Sequence, residues 1–188
     1  MPLPQITPLS IPEVLLLKPH VFRDERGYFF ESYNQKNWTE VGIPNSFVQD
    51  NTSLSKEGTL RGLHAQVRRP QAKLVRVLDG VIFDVAVDIR RGSPTFGQWT
   101  GAYLTANGCE QLFLPAGFAH GFCVVSESAR IAYKVTDFYD PEGEIALAWN
   151  DPDINIEWPI EHPTLSEKDR SALRLAELRD TLPQWTRE

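Results

Sequence analysis

At 188 residues, with 41% hydrophobic and 11% aromatic side chains, the chain carries enough apolar material for one folded domain with a real core. A formal net charge of −6, with 19 Lys and Arg scattered rather than blocked, argues against a nucleic-acid or anionic-membrane surface. No apolar run approaches a membrane span, no basic-then-apolar signal opens the chain, and Cys109 and Cys123 lack CxxC spacing, so a cytoplasmic protein with two small apolar thiols is expected.

Four prolines, Pro2, Pro4, Pro8 and Pro12, lie within residues 1–13. Lacking backbone donors, they favour an extended arm that can become an edge strand. Residues 14–22 read as a strand, Asp24-Glu25-Arg26-Gly27 as a turn, and residues 28–33 as the returning strand of a hairpin. Asn34 is placed to cap a short peripheral helix through Trp38 to Val41, with Gly42 as its left-handed stop. Residues 74–89 alternate strongly on both sides of Asp79-Gly80, with Val75, Val77, Val81, Phe83, Val85 and Val87, and give the clearest hairpin signal of the chain. Residues 96–104, 111–114, 121–125, 131–138 and 144–149 follow at the spacing of a sandwich or barrel. The period changes only at Ser166-Glu167-Lys168-Asp169, which resembles a capping box, and Leu173, Leu175 and Leu178 then suggest a short amphipathic helix. The expectation is an all-β sandwich or jelly roll with short peripheral helices near residues 34–41 and 166–178. It forms a single domain over 1–188: an arm at 1–13, a core at 14–150, and a C-terminal loop and helix at 151–188 packed on the barrel.

One stretch breaks the apolar pattern. Gln49-Asp50-Asn51, Arg61-Gly62-Leu63-His64 and Gln71-Ala72-Lys73 gather amides, a guanidinium, an imidazole and an ammonium into about one hairpin's length. Polar groups are costly to bury without partners, so strand residues of this kind line a wet pocket more readily than a core. The stretch reads as the floor of an active site.

Several blocks resemble the dTDP-4-dehydrorhamnose 3,5-epimerase family. They are Asp24-Glu25-Arg26-Gly27-Tyr28-Phe29-Phe30-Glu31, Arg61-Gly62-Leu63-His64, Gln71-Ala72-Lys73-Leu74-Val75, Ser93-Pro94-Thr95-Phe96-Gly97, Pro115-Ala116-Gly117-Phe118-Ala119-His120-Gly121-Phe122, Tyr133-Lys134 and Leu165-Ser166-Glu167-Lys168-Asp169. The resemblance implies a cupin-type jelly roll, a homodimer, and no metal or organic cofactor. It also implies epimerisation at C3 and C5 of dTDP-4-dehydro-6-deoxy-D-glucose to dTDP-4-dehydro-L-rhamnose, within dTDP-L-rhamnose biosynthesis.

The chemistry makes its own demands. Inverting a carbon beside a ketone needs a base for the C–H proton, a cation or donor for the enolate oxygen, and an acid on the opposite face. His64 is the base candidate, because imidazole is neutral yet basic near neutral pH. Asp169 is the candidate partner of its imidazolium, Lys73 the candidate for the oxyanion and Tyr133 the acid. Lys134, next along the strand, faces the other way. The resemblance places Arg26, Glu31, Gln49, Asn51, Arg61, Lys73, His120, Glu144 and Lys168 on substrate-contacting positions, with part of the nucleotide site possible from a partner subunit. The alternative for Arg26 is a turn salt bridge with Asp24 or Glu25, and Phe22 and Phe29 could stack on a base.

A metal is the rival idea for a cupin. Metal-binding cupins pair two histidines one residue apart, whereas Ala65-Gln66 follows His64, so only His64, His120 and a carboxylate such as Asp84 could assemble a site. His20 and His162 sit beside prolines in loop-like stretches. The family usually has an aromatic residue where this chain has Ala65, and Val67-Arg68-Arg69-Pro70 is a compact basic segment nearby. Two alternatives stand beside the double epimerase: a single-site C3 or C5 epimerase of another dTDP-4-keto-deoxysugar, and a non-catalytic sugar-nucleotide-binding jelly roll.

Overall fold

The computed structural model describes residues 1–43 and 46–186. Two antiparallel sheets carry the fold. The six-stranded sheet runs, side by side, β1 (Gln5–Pro8), β2 (Leu15–Lys18), β10 (Gln111–Leu114), β7 (Lys73–Asp79), β12 (Ser128–Val135) and β5 (Gln49–Lys56). The five-stranded sheet runs β13 (Glu144–Ala146), β6 (Leu60–Gln66), β11 (Phe118–Val124), β8 (Val81–Asp88) and β9 (Trp99–Thr105). This is a cupin-like jelly roll, and the proline-rich arm supplies β1 as an edge strand.

Three apolar layers hold it. Between the sheets, Val75, Leu112, Leu114 and Ile131 meet Ile82, Leu104, Phe118 and Phe122. The outer face of the five-stranded sheet, with Leu63, Phe83, Val85 and Val87, is covered by Leu147, Ile154, Leu175, Leu178 and Leu182 of the C-terminal segment. The outer face of the six-stranded sheet, with Leu17, Leu74 and Phe113, is covered by Trp38 and Ile43. Helix α1 (Gln35–Glu40), capped by Asn34, is therefore more than a surface appendage, since Trp38 is 1% exposed. Burial on both faces explains why β8 reads as a nearly continuous apolar run.

Four expectations fail. Residues 74–89 are not a hairpin: β7 pairs with β10 and β12, β8 with β11 and β9, and the chain crosses between sheets at Asp79-Gly80. Alternation and an Asp-Gly turn signal a reversal but do not say which strands pair. The crossing is tight: Gly80 has φ +83°, and a Cβ there would lie 2.1 Å from the Ser128 carbonyl oxygen. The polar stretch likewise divides, with β5 in one sheet and β6 in the other. The strand expected over 14–22 ends at Lys18, because Pro19 has no donor to continue it. The chain then makes a separate two-stranded ribbon of β3 (Phe22–Asp24) and β4 (Gly27–Phe29). The C-terminal helix is broken into α2 (Glu167–Arg170) and α3 (Leu175–Leu178): the Leu173 carbonyl accepts from Ala148 N at 2.8 Å, and the buried Asp151 carboxylate accepts from Leu175 N at 2.7 Å. The tertiary partners override the helical period there. Among the described residues no helix is long and apolar enough to cross a membrane.

Candidate active site

A cavity of about 620 Å³ opens where β5, β6, β7, β11 and β12 meet the C-terminal segment, a size ordinary for small-molecule sites. Strand register brings its side chains together: His64 lies opposite His120 on one side and Ala146 on the other, Tyr133 opposite Asn51, and Lys73 opposite Val135. The glycine of Arg61-Gly62-Leu63-His64 is needed for this. Gly62 has φ +104°, and a Cβ would stand 2.5 Å from the His120 carbonyl oxygen, so only glycine lets β6 press against β11 at the bulge between His120 and Phe122.

Two histidine–carboxylate pairs result. His64 Nε2 lies 2.6 Å from Asp169 Oδ1. With its Nε2 proton on that contact, the imidazole carries its lone pair on Nδ1. Burial pushes the Asp169 carboxyl up, but hydrogen bonds from His64 and Ser166, the His64 charge and the Gly62 backbone outweigh it and hold the group below the ordinary carboxylate range. His120 Nε2 lies 3.0 Å from both oxygens of Asp84, which is fully buried.

Lys73 is 8% exposed and donates from Nζ to the His64 carbonyl at 3.2 Å. Burial lowers it to about 8, against the opposing pull of Asp84 and Glu144. Burial also pushes the Tyr133 phenol up, with Glu144 adding and Arg61 opposing, so the hydroxyl keeps its proton at neutral pH. Glu144 is pushed up by burial, yet the Lys168 and Tyr139 contacts dominate and hold it low. Tyr139 Oη donates to Glu144 Oε2 at 2.8 Å, and Lys168 pairs with the same oxygen.

The cavity thus lines up His64, Asp169, Lys73, Tyr133, Gln49, Asn51, Arg61, His120 and Glu144. Three other expected contacts are elsewhere. Arg26 is bound to Asp24 at the exposed tip of the β3–β4 ribbon, with Nε donating to Oδ2 at 3.1 Å. Glu31 accepts from Asn34 Nδ2 at 3.0 Å and Asn37 Nδ2 at 2.6 Å. Lys168 is outside the lining and reaches it only through Glu144. Lys134 faces away and donates to Asp50 at 2.7 Å. Arg68 and Arg69 of the basic segment pair with Glu142 and Asp137 beside the mouth. His20 and His162 are exposed. Sequence reasoning brought Asp84 and His120 together only as members of a possible metal site and did not foresee that they bind each other, although an acidic residue inside Ile82-Phe83-Asp84-Val85 is itself a signal. It also missed Tyr139, which no local pattern marks. Among the described residues, no three His, Cys, Asp or Glu side chains gather as a metal-binding group.

Fold and site together define a cupin-type isomerase with an imidazole–carboxylate pair, a buried ammonium and a buried phenol around one cavity. A family model described as dTDP-4-dehydrorhamnose 3,5-epimerase matches residues 8–177. A dTDP-4-dehydrorhamnose 3,5-epimerase of Pseudomonas aeruginosa is 57% identical over 91% of this chain and 96% of its own. A crystal structure of dTDP-6-deoxy-D-glucose-3,5-epimerase from Legionella pneumophila, in complex with dTDP-4-keto-L-rhamnose, superposes with a TM-score of 0.95 at 47% identity, covering 98% of this chain and 100% of that one. A dTDP-4-dehydrorhamnose 3-epimerase of Streptomyces niveus is 39% identical over 94% of this chain and 86% of its own. The chain belongs to the dTDP-4-dehydrorhamnose 3,5-epimerase family.

Proposed function

We propose that the protein converts dTDP-4-dehydro-6-deoxy-D-glucose to dTDP-4-dehydro-L-rhamnose by proton transfer through an enolate. The observation that carries this reading is the convergence of His64, Lys73 and Tyr133 on one cavity, with Asp169 hydrogen-bonded to the imidazole. His64 Nδ1 removes the proton beside the C4 ketone, and the C–H electrons pass to the ketone oxygen, where the Lys73 ammonium stabilises the charge. Asp169 stabilises the imidazolium. Tyr133 donates its proton to the opposite face of the carbon, and solvent returns a proton to the phenolate while the imidazolium gives one up. The side chains supply acid, base and cation, so no cofactor is assigned a step.

Arg61, with Gln49 and Asn51, faces the nucleotide part of the ligand, guanidinium being suited to diphosphate. Arg26 and Glu31 reach substrate only from a second copy of the chain. The β3–β4 ribbon supports this, because it holds Phe22, Tyr28 and Phe29 at 44%, 50% and 61% exposure away from its own cavity. A homodimer follows from that reading, and light scattering tests it: a monodisperse, active monomer would remove it. The two free, buried thiols Cys109 and Cys123 support a cytoplasmic, reducing location.

The decisive experiment incubates the enzyme with the substrate in D2O. Deuterium at both C3 and C5 is expected. Deuterium at one carbon would move the assignment to the single-site reading, which the Streptomyces niveus relative keeps in play, and none at either would leave only binding.

A further inference from the structure

We propose that Ser166 is a positioning residue for the His64–Asp169 pair. Helix α2 is four residues long, too short to be stable by itself, so the aim of the Asp169 carboxylate depends on particular contacts. Its two oxygens have divided duties: Oδ1 meets His64 Nε2 at 2.6 Å, and Oδ2 accepts from Ser166 Oγ at 2.8 Å. The same Oγ accepts from Asp169 N at 3.1 Å. A hydroxyl has one proton to donate and lone pairs to receive, so one oxygen fixes both the backbone and the carboxylate plane of Asp169. An ordinary helix cap explains only the second of these bonds.

The terminal torsion of an aspartate is broad. Without the Ser166 donor, Oδ1 is free to swing off the imidazole. The serine is itself tied to the scaffold that bears the base: Thr164 N donates to Gly58 O at 2.8 Å and Leu60 N to Thr164 O at 3.1 Å. Both ends of the aim thus hang on β6 and the turn before it. Ser166 lines the cavity but is assigned no contact with the reacting carbon.

This assignment rests on the reading of His64 as the base, and the test separates the two. Ser166→Ala, Ser166→Gly and Ser166→Thr are made in the full chain and assayed with the keto-sugar nucleotide in D2O. Glycine caps a helix far better than alanine does, so the pair separates capping from aiming. Ala and Gly variants are expected to lose about tenfold in kcat with KM within about twofold, and Thr to restore the rate. The acidic edge of activity moves to higher pH in both, because a carboxylate deprived of a donor takes a proton more readily. Carbon-13 NMR of the Asp169 carboxyl reads that shift without any turnover. Unchanged kcat and unchanged Asp169 titration in the Gly variant would overturn the assignment. So would a loss confined to Ala, which would make the hydroxyl a helix cap only. If the wild-type protein neither exchanges nor turns over substrate, the epimerase reading fails, while the Asp169 titration still decides the role of Ser166.

Discussion

Two histidine–carboxylate pairs border the same cavity, and they are built in different ways. His120 and Asp84 lie on adjacent strands of one sheet, with side chains 8% and 0% exposed and the imidazole shared between both carboxylate oxygens. His64 and Asp169 are 105 residues apart in sequence and join a strand to a four-residue helix, and the imidazole is 30% exposed. The sheet-bound pair is buried between paired strands and has little room to move. The strand-to-helix pair leaves a partly exposed imidazole lining the cavity, where in the proposed reading a substrate proton reaches it. Under that reading, identical side chains thus serve different ends according to what holds the carboxylate.

The sharpest way to break this contrast is to remove each imidazole. His64→Asn is expected to lose about 10²–10⁴-fold in turnover and all detectable solvent exchange, because positioned proton transfer is worth that much. His120→Asn should slow turnover yet leave exchange measurable by mass spectrometry in D2O. Equal loss of exchange in both variants would erase the distinction. Next in size, Tyr133→Phe keeps the ring and deletes the hydroxyl, so it should lose most net epimerisation but retain C–H exchange and nucleotide affinity. Normal epimerisation by this variant would place the acid elsewhere.

A smaller effect links the pairs through Lys73. If its ammonium holds the oxyanion, activity falls as pH rises through about 8, where burial has put the group. Asp84 opposes that lowering, so Asp84→Asn should move the alkaline edge of the pH–rate profile to lower pH. An unmoved edge would detach Lys73 from the buried pair. The smallest expectation concerns folding. Lys73 takes up protons in the unfolded chain near its ordinary value of 10.5 but in the folded protein only below about 8, so the unfolded state binds more protons between these limits. Its contribution to stability therefore rises with pH across that window, and Lys73→Met should flatten the rise in denaturant midpoints measured from pH 8 to 10.

Much of this was legible in the residues. Period-two alternation located most strands, Asn34 and Ser166 located helix starts, and the blocks around His64, Lys73, Tyr133 and Asp169 named side chains that the fold gathers at one cavity. Strand partners were not legible, because alternation records which faces are buried and is silent on which neighbour supplies the hydrogen bonds; Asp79-Gly80 looks the same in a hairpin and in a crossing between sheets. Asp84 and His120 could be named together as possible ligands, but that they bind each other was hidden for the same reason, since it depends on β8 lying beside β11. Glu144 lines the cavity and Lys168 pairs with it from outside the lining, an arrangement set by the approach of α2 to β13, which nothing local in the sequence marks. Arg26 and Glu31 satisfy local partners, and no sequence pattern records the distance between a ribbon tip and a cavity.

The crossings at Gly58 and Gly80 have a kinetic consequence. Apart from the local pairs β1–β2 and β8–β9, strands from β5 onward switch sheet at each step, so Gln111 pairs with Leu17 and Glu144 with Gln66, and most ladders wait for distant segments to meet. Loop-closure entropy then has to be met ahead of most of the stabilising contacts, which puts the chain among slow folders, in the range of about milliseconds to seconds. While it waits, apolar strands such as β11, whose two neighbours β6 and β8 both lie far back in the chain, stand with both edges unpaired, the condition in which chains of this topology associate with one another. Refolding yield should therefore depend on protein concentration even where the finished jelly roll is stable.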